Sequence, residues 1–244
     1  MHIIRDVQDV DTLPLLENGE RMDRETFHAR YEQMPGVRAE LVKGEVYMPS
    51  PMKREHSGMA FIISRCLGDY MDVTPWSEVH AAGVSVLLGQ DSEPQPDLAM
   101  FLLPEAGGRI SFEDGYPAGA PELIIEVATS PGSIDLHRKR DDYERHGVAE
   151  YIVFVLRQQR VVWFRHDGTA FVEQSLPADG ILRVGVFPGL WLDSTALFAN
   201  DHSRARAVTA QGLATPEHAT FVTLLQERVS ASRGQGTPLP PSSH

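Results

Sequence analysis

A mixed α/β fold, with helices flanking a sheet and added antiparallel hairpins, is the architecture the sequence predicts. Three features carry that expectation. Short apolar runs at 121–130 and 150–156 have the length and composition of buried strands. Apolar residues recur at helical spacing around 59–70, and a second, more polar helix is predicted at 133–146. Lys43-Gly44 and Asp167-Gly168 are turn pairs of the kind that join antiparallel strands. Strand runs interleaved with helices, rather than segregated from them, indicate a mixed sheet.

Residues 1–20 are mixed and acidic and read as an N-terminal extension. A short helix follows, with Asp23 as its N-cap, Phe27, Tyr31 and Met34 on its inner face, and Pro35-Gly36 ending it. RAELVKGEVYM reads as a hairpin turning at Lys43-Gly44. In the next helix Met59, Ile62, Ile63, Cys66, Leu67 and Tyr70 form one continuous apolar stripe, so Cys66 is a core residue. Strands are predicted in VHAAGVSVLL and QPDLAMFLL, and 104–120 is read as a surface connection rich in Gly, Pro and acids. The strand PELIIEVATS then leads to the polar helix, which Gly147 closes. Further strands are expected at 150–156, 160–165 and 169–175.

The core domain is therefore placed at 21–198. A helical appendage at 199–229 opens at Pro216 and carries Phe221, Val222, Leu225 and Val229 on one face. The Ser/Gly/Pro-rich end, 230–244, buries too little surface to offset its ordering entropy and is expected to be disordered.

Among 244 residues, 34 are acidic and 22 are Lys or Arg, a net charge of −12, which argues against constitutive binding to nucleic acid by charge alone. One cysteine leaves no intramolecular disulfide and no thiolate zinc cluster. No stretch approaches 18 apolar residues, so no membrane partner is expected and a cytoplasmic location is.

A buried strand has little reason to carry a carboxylate, because an ion in an apolar layer costs several kcal/mol unless it is paired or bound to a cation. Two strands here carry one. Asp97 lies in QPDLAMFLL, and Glu126 shares a face with Ile124 and Ala128, while Leu123, Ile125 and Val127 take the other. Such a pair offers the hard oxygens that Mg²⁺ or Mn²⁺ prefers. The alternative is structural, with Asp97 bonding turn amides and Glu126 meeting an arginine. Glu40, at the start of the first hairpin, either joins the pair or meets Lys43 or Arg38. Leu136, Lys139 and Tyr143 share a helix face, so Lys139 either points at the sheet or pairs with Asp135 in solvent. The histidines lack zinc-site spacing and the serines lack a nucleophile elbow.

The succession ELVKGEV, SP followed by His56, PDLAMF, PELIIEVATSP, Asp135-x3-Lys139-x3-Tyr143, GVAEYIV and FPGLWLD resembles the Uma-two family of restriction-endonuclease-like proteins, within the PD-(D/E)XK nuclease superfamily. The resemblance covers about 21–198. It implies a restriction-endonuclease-like core, with Asp97 as the superfamily aspartate and Glu126 as its second acid. The superfamily lysine stands two residues after that acid, where this chain has Ala128; the resemblance implies a displaced lysine at Lys139. Glu40 matches the acid of the N-terminal hairpin, and His56 the histidine opening the second helix.

The expected activity is a Mg²⁺- or Mn²⁺-dependent endonuclease acting on DNA. Asp97 and Glu126 hold the ion, Lys139 and Glu40 complete the catalytic set, and Lys53, Arg54, His56, Arg138 and Arg140 meet the nucleic acid. A displaced lysine must bring its ammonium within about 4 Å of Glu126, and Lys139→Ala is then expected to leave folding nearly intact. The alternative is a non-catalytic homodimeric module that keeps the nuclease fold; hairpin residues Val161, Trp163 and Phe171 suggest a dimer surface. A hydrolase of small phosphoesters would share the same site.

Overall fold

The computed structural model describes residues 13–81, 83–130 and 134–234. The expected N-terminal extension thus lies mostly outside the described residues.

Helix α1 (Arg24–Tyr31) opens as predicted, the Asp23 side chain accepting the Thr26 amide. Strands β1 (Glu40–Val42) and β2 (Glu45–Tyr47) form the first hairpin. Its turn residues, Lys43 and Gly44, take φ of 52° and 71°, the left-handed pair that matches strand twist in a two-residue loop. Helix α2 (Arg54–Met71) buries the whole predicted stripe from Met59 to Tyr70.

Strand β3 (Ser77–Ala81) is shorter than the predicted VHAAGVSVLL strand. Gly83 turns left-handed at φ +80°, and 84–88 continues outside the sheet ladder, with isolated bridges at Leu87 and Leu88 and a bond from the Val86 amide to the Pro94 carbonyl. After β4 (Leu98–Leu102), the supposed surface connection contains a small hairpin, β5 (Ser111–Glu113) and β6 (Tyr116–Ala118). Asp114-Gly115 turns it with φ of 49° and 89°, a hairpin signal that the surrounding acids and glycines obscure.

Strand β7 (Leu123–Ala128) leads through a single 3-10 turn (Ile134–Leu136) into α3 (Arg138–His146). The predicted continuous helix is interrupted at His137, whose φ of −128° and ψ of −81° are not helical. Strand β8 (Glu150–Val155) runs parallel to β7, completing a βαβ unit. Then come β9 (Arg160–His166), β10 (Phe171–Glu173), β11 (Ile181–Arg183), β12 (Trp191–Asp193) and α4 (Ser194–Phe198). The main sheet has the order β10-β9-β8-β7-β4-β3, with every pairing antiparallel except β7 with β8.

Alternation divides the sheet into two buried faces. Leu98, Met100, Leu123, Ile125, Ile152 and Phe154 pack with the α2 stripe, and Ile124, Tyr151, Val153 and Phe164 pack with Tyr143 of α3. Both faces are covered, as expected of strands without polar alternation.

Helices α5 (His202–Leu213) and α6 (Pro216–Gly234) make up the appendage, and it packs on its own core: Ala205, Leu225 and Val229 are buried in the α2-side cluster. Helix α6 runs five residues into the segment expected to be disordered, where Ser230 and Ser232 hydroxyls bond the helix backbone at Gln226 and Val229. Residues 235–244 lie outside the described part. The residues that suggested a dimer surface are interior ones. Trp163 and Phe171 are buried and Val161 is partly so, and Trp163 Nε1 donates to the buried Glu150 at 2.6 Å. Among the described residues, no helix is long and apolar enough to cross a membrane.

Candidate active site

The β4/β7 register places Leu98 opposite Ile125, which sets Asp97, one residue before β4, opposite Glu126. Each carboxylate accepts an amide from the other's strand. Asp97 N donates to Glu126 Oε2 at 3.1 Å, and Val127 N donates to Asp97 Oδ2 at 2.8 Å. The structural alternative foresaw the amide contact of Asp97, but the amide belongs to the neighbouring strand rather than to a turn.

Glu126 projects from the face covered by α3, and there it meets Lys139, whose Nζ lies 3.0 Å from Glu126 Oε1 and 2.8 Å from Glu40 Oε2. Lys139 is therefore directed at the sheet. The side chain of Asp135, its alternative partner, lies outside the described residues. The Tyr143 hydroxyl, one turn further along α3, donates to Glu126 Oε1 at 3.2 Å. Glu40 is brought in by the first hairpin, which is tied to the chain ahead of β4 by paired Leu41 and Glu93 amides. The Gln95 amide donates to Glu40 Oε2 at 3.2 Å. Glu126 is 2% exposed, Lys139 4% and Glu40 6%, so this charge cluster lies beneath the surface.

His56, on the first turn of α2, places Nε2 2.9 Å from Asp97 Oδ2, an ion-pair distance at an angle that does not make a hydrogen bond. Burial pushes the Asp97 carboxyl up, but the adjacent His56 ring, the Val127 amide and the Lys139 ammonium outweigh it and hold the group below its usual range. Asp97 is thus an anion at neutral pH.

These groups line a cleft of about 410 Å³ together with 49–53, Thr129, Ser130 and Ile134. Lys53 and His56 line it. Arg54, Arg138 and Arg140 do not. Arg54 is exposed on the first turn of α2 outside the lining. With Lys139 pointing inward, its neighbours point aside: Arg138 pairs with Glu45 at 2.6 Å and bonds the Tyr47 hydroxyl, and Arg140 lies over the Phe164 ring and pairs with Glu144. Arg38 and Gln95 line the cleft unforeseen. Each stands two residues before an acid already singled out, Glu40 and Asp97, and period-two alternation puts such residues on one face.

Among the described residues no three His, Cys, Asp or Glu side chains converge as a ready-made metal cage. The donor chemistry still fits Mg²⁺, which usually takes one or two carboxylates and completes its shell with waters and substrate phosphate. Asp97 and Glu126 are hard-oxygen donors on adjacent strands lining one cleft.

A mixed sheet covered by helices, with acids where two central strands meet and a lysine from the following helix, is the arrangement expected of a restriction-endonuclease-like core. The chain belongs to the Uma2 family, described as putative restriction endonucleases, whose sequence pattern matches residues 24–195. Its fold is similar to the crystal structure of a putative nuclease belonging to DUF820 from Anabaena variabilis. The two are 16% identical, with a TM-score of 0.55, over 70% of this chain and 97% of the other. Among curated proteins there is no match.

Proposed function

We propose that the protein hydrolyses phosphodiester bonds in DNA with a divalent cation, Mg²⁺ or Mn²⁺, held by Asp97 and Glu126. The observation that carries this reading is the meeting of Asp97, Glu126 and Lys139 in one cleft, from three separate elements. Family membership supports nuclease function.

A cation held by Asp97 and Glu126 would supply positive charge to the phosphate and would acidify a bound water. Asp97 and Glu126 are held for that task by the reciprocal amide bonds between their strands, so their oxygens stay fixed while substrate binds. Lys139 donates to Glu126 in the free protein and takes the part of the lysine missing at Ala128, orienting the attacking water or meeting charge on the phosphoryl oxygens. Glu40 and Tyr143 position rather than react: one fixes the Lys139 ammonium, the other the Glu126 carboxylate. Arg38 and Lys53 at the cleft wall are placed to meet flanking phosphates.

The test is incubation of a labelled oligonucleotide and a plasmid with the protein, with and without Mg²⁺ or Mn²⁺. Cleavage that needs the ion and disappears in Asp97→Asn is expected. Equal cleavage by Asp97→Asn, or none of any substrate, overturns the reading.

A further inference from the structure

The cleft is built as a charged floor beneath an apolar wall. The floor groups Glu126, Lys139 and Glu40 are at most 6% exposed, whereas the adjoining wall carries Pro49, Pro51 and Met52, all exposed, Met52 at 44%. We infer that the cleft takes an unpaired stretch of nucleic acid, with one phosphate on the floor and a base against the Pro49-Pro51-Met52 wall, and that paired duplex is a poor substrate. This rests on the nuclease reading above and adds the form of the substrate.

Three observations carry it. First, a phosphate must pass the exposed residues of the lining to reach acids that solvent hardly touches. A single strand bends into such a space, while a duplex presents its phosphates on a broad, stiff cylinder. Second, a volume of about 410 Å³ suits a ligand of nucleotide size. Pockets that accept unstacked bases hold them between aromatic or apolar side chains, and Pro49, Pro51 and Met52 supply such faces here; a paired base has no free face to offer. Third, duplex binding by charge draws on something like 6–10 phosphate contacts. The rim cations lining this cleft, Arg38 and Lys53, suffice for about two phosphates, in a chain of net charge −12.

The experiment compares one labelled 20-nucleotide strand alone, the same strand in a blunt duplex, and bis(4-nitrophenyl) phosphate, each with the full-length protein and Mn²⁺. The expected result is cleavage of the single strand at least tenfold faster than the duplex. With two rim contacts, binding of the strand by Asp97→Asn should weaken only about sevenfold between 50 and 200 mM salt. Met52→Asp should raise KM for the strand several-fold and leave kcat within about twofold, a split that general loss of folding does not produce. Duplex cleaved as fast as single strand overturns the inference and leaves the nuclease reading standing. Hydrolysis of the small diester with neither DNA form cleaved overturns both the inference and the DNA reading, and leaves a hydrolase of small phosphoesters. An unchanged KM in Met52→Asp overturns the wall's part in it. Hydrolysis of none of the three removes the nuclease reading itself.

Discussion

Lys139 Nζ stands 3.0 Å from Glu126 Oε1, across thirteen residues of chain, and 2.8 Å from Glu40 Oε2. One ammonium joins the central strand, the N-terminal hairpin and α3. With 4% of its surface exposed it also supplies a shared counter-charge to two carboxylates that are at most 6% exposed.

The expectation that Lys139→Ala leaves folding nearly intact is therefore corrected by its burial. Removing the ammonium takes the buried counter-charge from Glu40 and Glu126 and leaves them their neutral donors, a loss of about 3–5 kcal/mol. Lys139→Met should lower the urea midpoint accordingly and reduce hydrolysis a hundredfold or more. Adding Glu40→Gln should return part of the stability and none of the activity. A Lys139→Met protein as stable as the parent would contradict the clamp.

Tyr143→Phe removes one of the donors to Glu126 Oε1 and keeps the ring, which packs edge-on to Tyr151 at 5.0 Å. Stability should fall by about 1 kcal/mol. If Tyr143 positions Glu126, kcat should fall with KM unchanged; steady-state kinetics on folded variant checks this.

Asp142 is fully buried, with Arg145 at 2.7 Å and His146 at 3.4 Å. Burial raises its carboxyl pKa, and the His146, Ser92 and Arg145 groups outweigh burial to hold it below the ordinary 3.8. A depressed folded-state pKa stabilises above the unfolded value and loses that stabilisation as pH falls through the folded one. Asp142→Asn should cost about 1–3 kcal/mol at pH 7, a difference that shrinks below pH 3.8. Urea unfolding of both proteins across pH 2.5–7 reads it, the pH span being about one to three units either side of the ordinary aspartate pKa.

Leu225 of α6 is fully buried in the same cluster as the α2 stripe. Leu225→Ala should cost about 2–5 kcal/mol, and a chain ending at 198 should not fold stably. If that truncation kept the parent's thermal midpoint, the appendage would not belong to the core.

Legibility in the sequence followed the range of the interaction that decides each feature. The α2 stripe, the Asp23 cap and the two hairpin turns are local patterns, and they were readable. The β5-β6 hairpin and the break at His137 were not: the first hides its Asp-Gly signal among other turn residues, and the second has no breaker residue at all. At the site, alternation indicated which face Glu126 takes, and helical spacing indicated that Lys139 shares it. The fates of Arg138 and Arg140 depend on Tyr47 and Phe164, distant in sequence, and no local pattern announces them. Trp163 reads as an exposed hairpin aromatic, yet Glu150, thirteen residues away, holds its indole inside.

The central claim, that Asp97 and Glu126 form a divalent-cation site, is tested most directly by a crystal soaked in Mn²⁺ and measured for anomalous scattering. The predicted result is a peak bonded to both carboxylates at about 2.0–2.3 Å, ordinary hard-cation distances, with Lys139 still within reach of Glu126. A map with no peak between Asp97 and Glu126, at Mn²⁺ concentrations that saturate cleavage, would contradict the account.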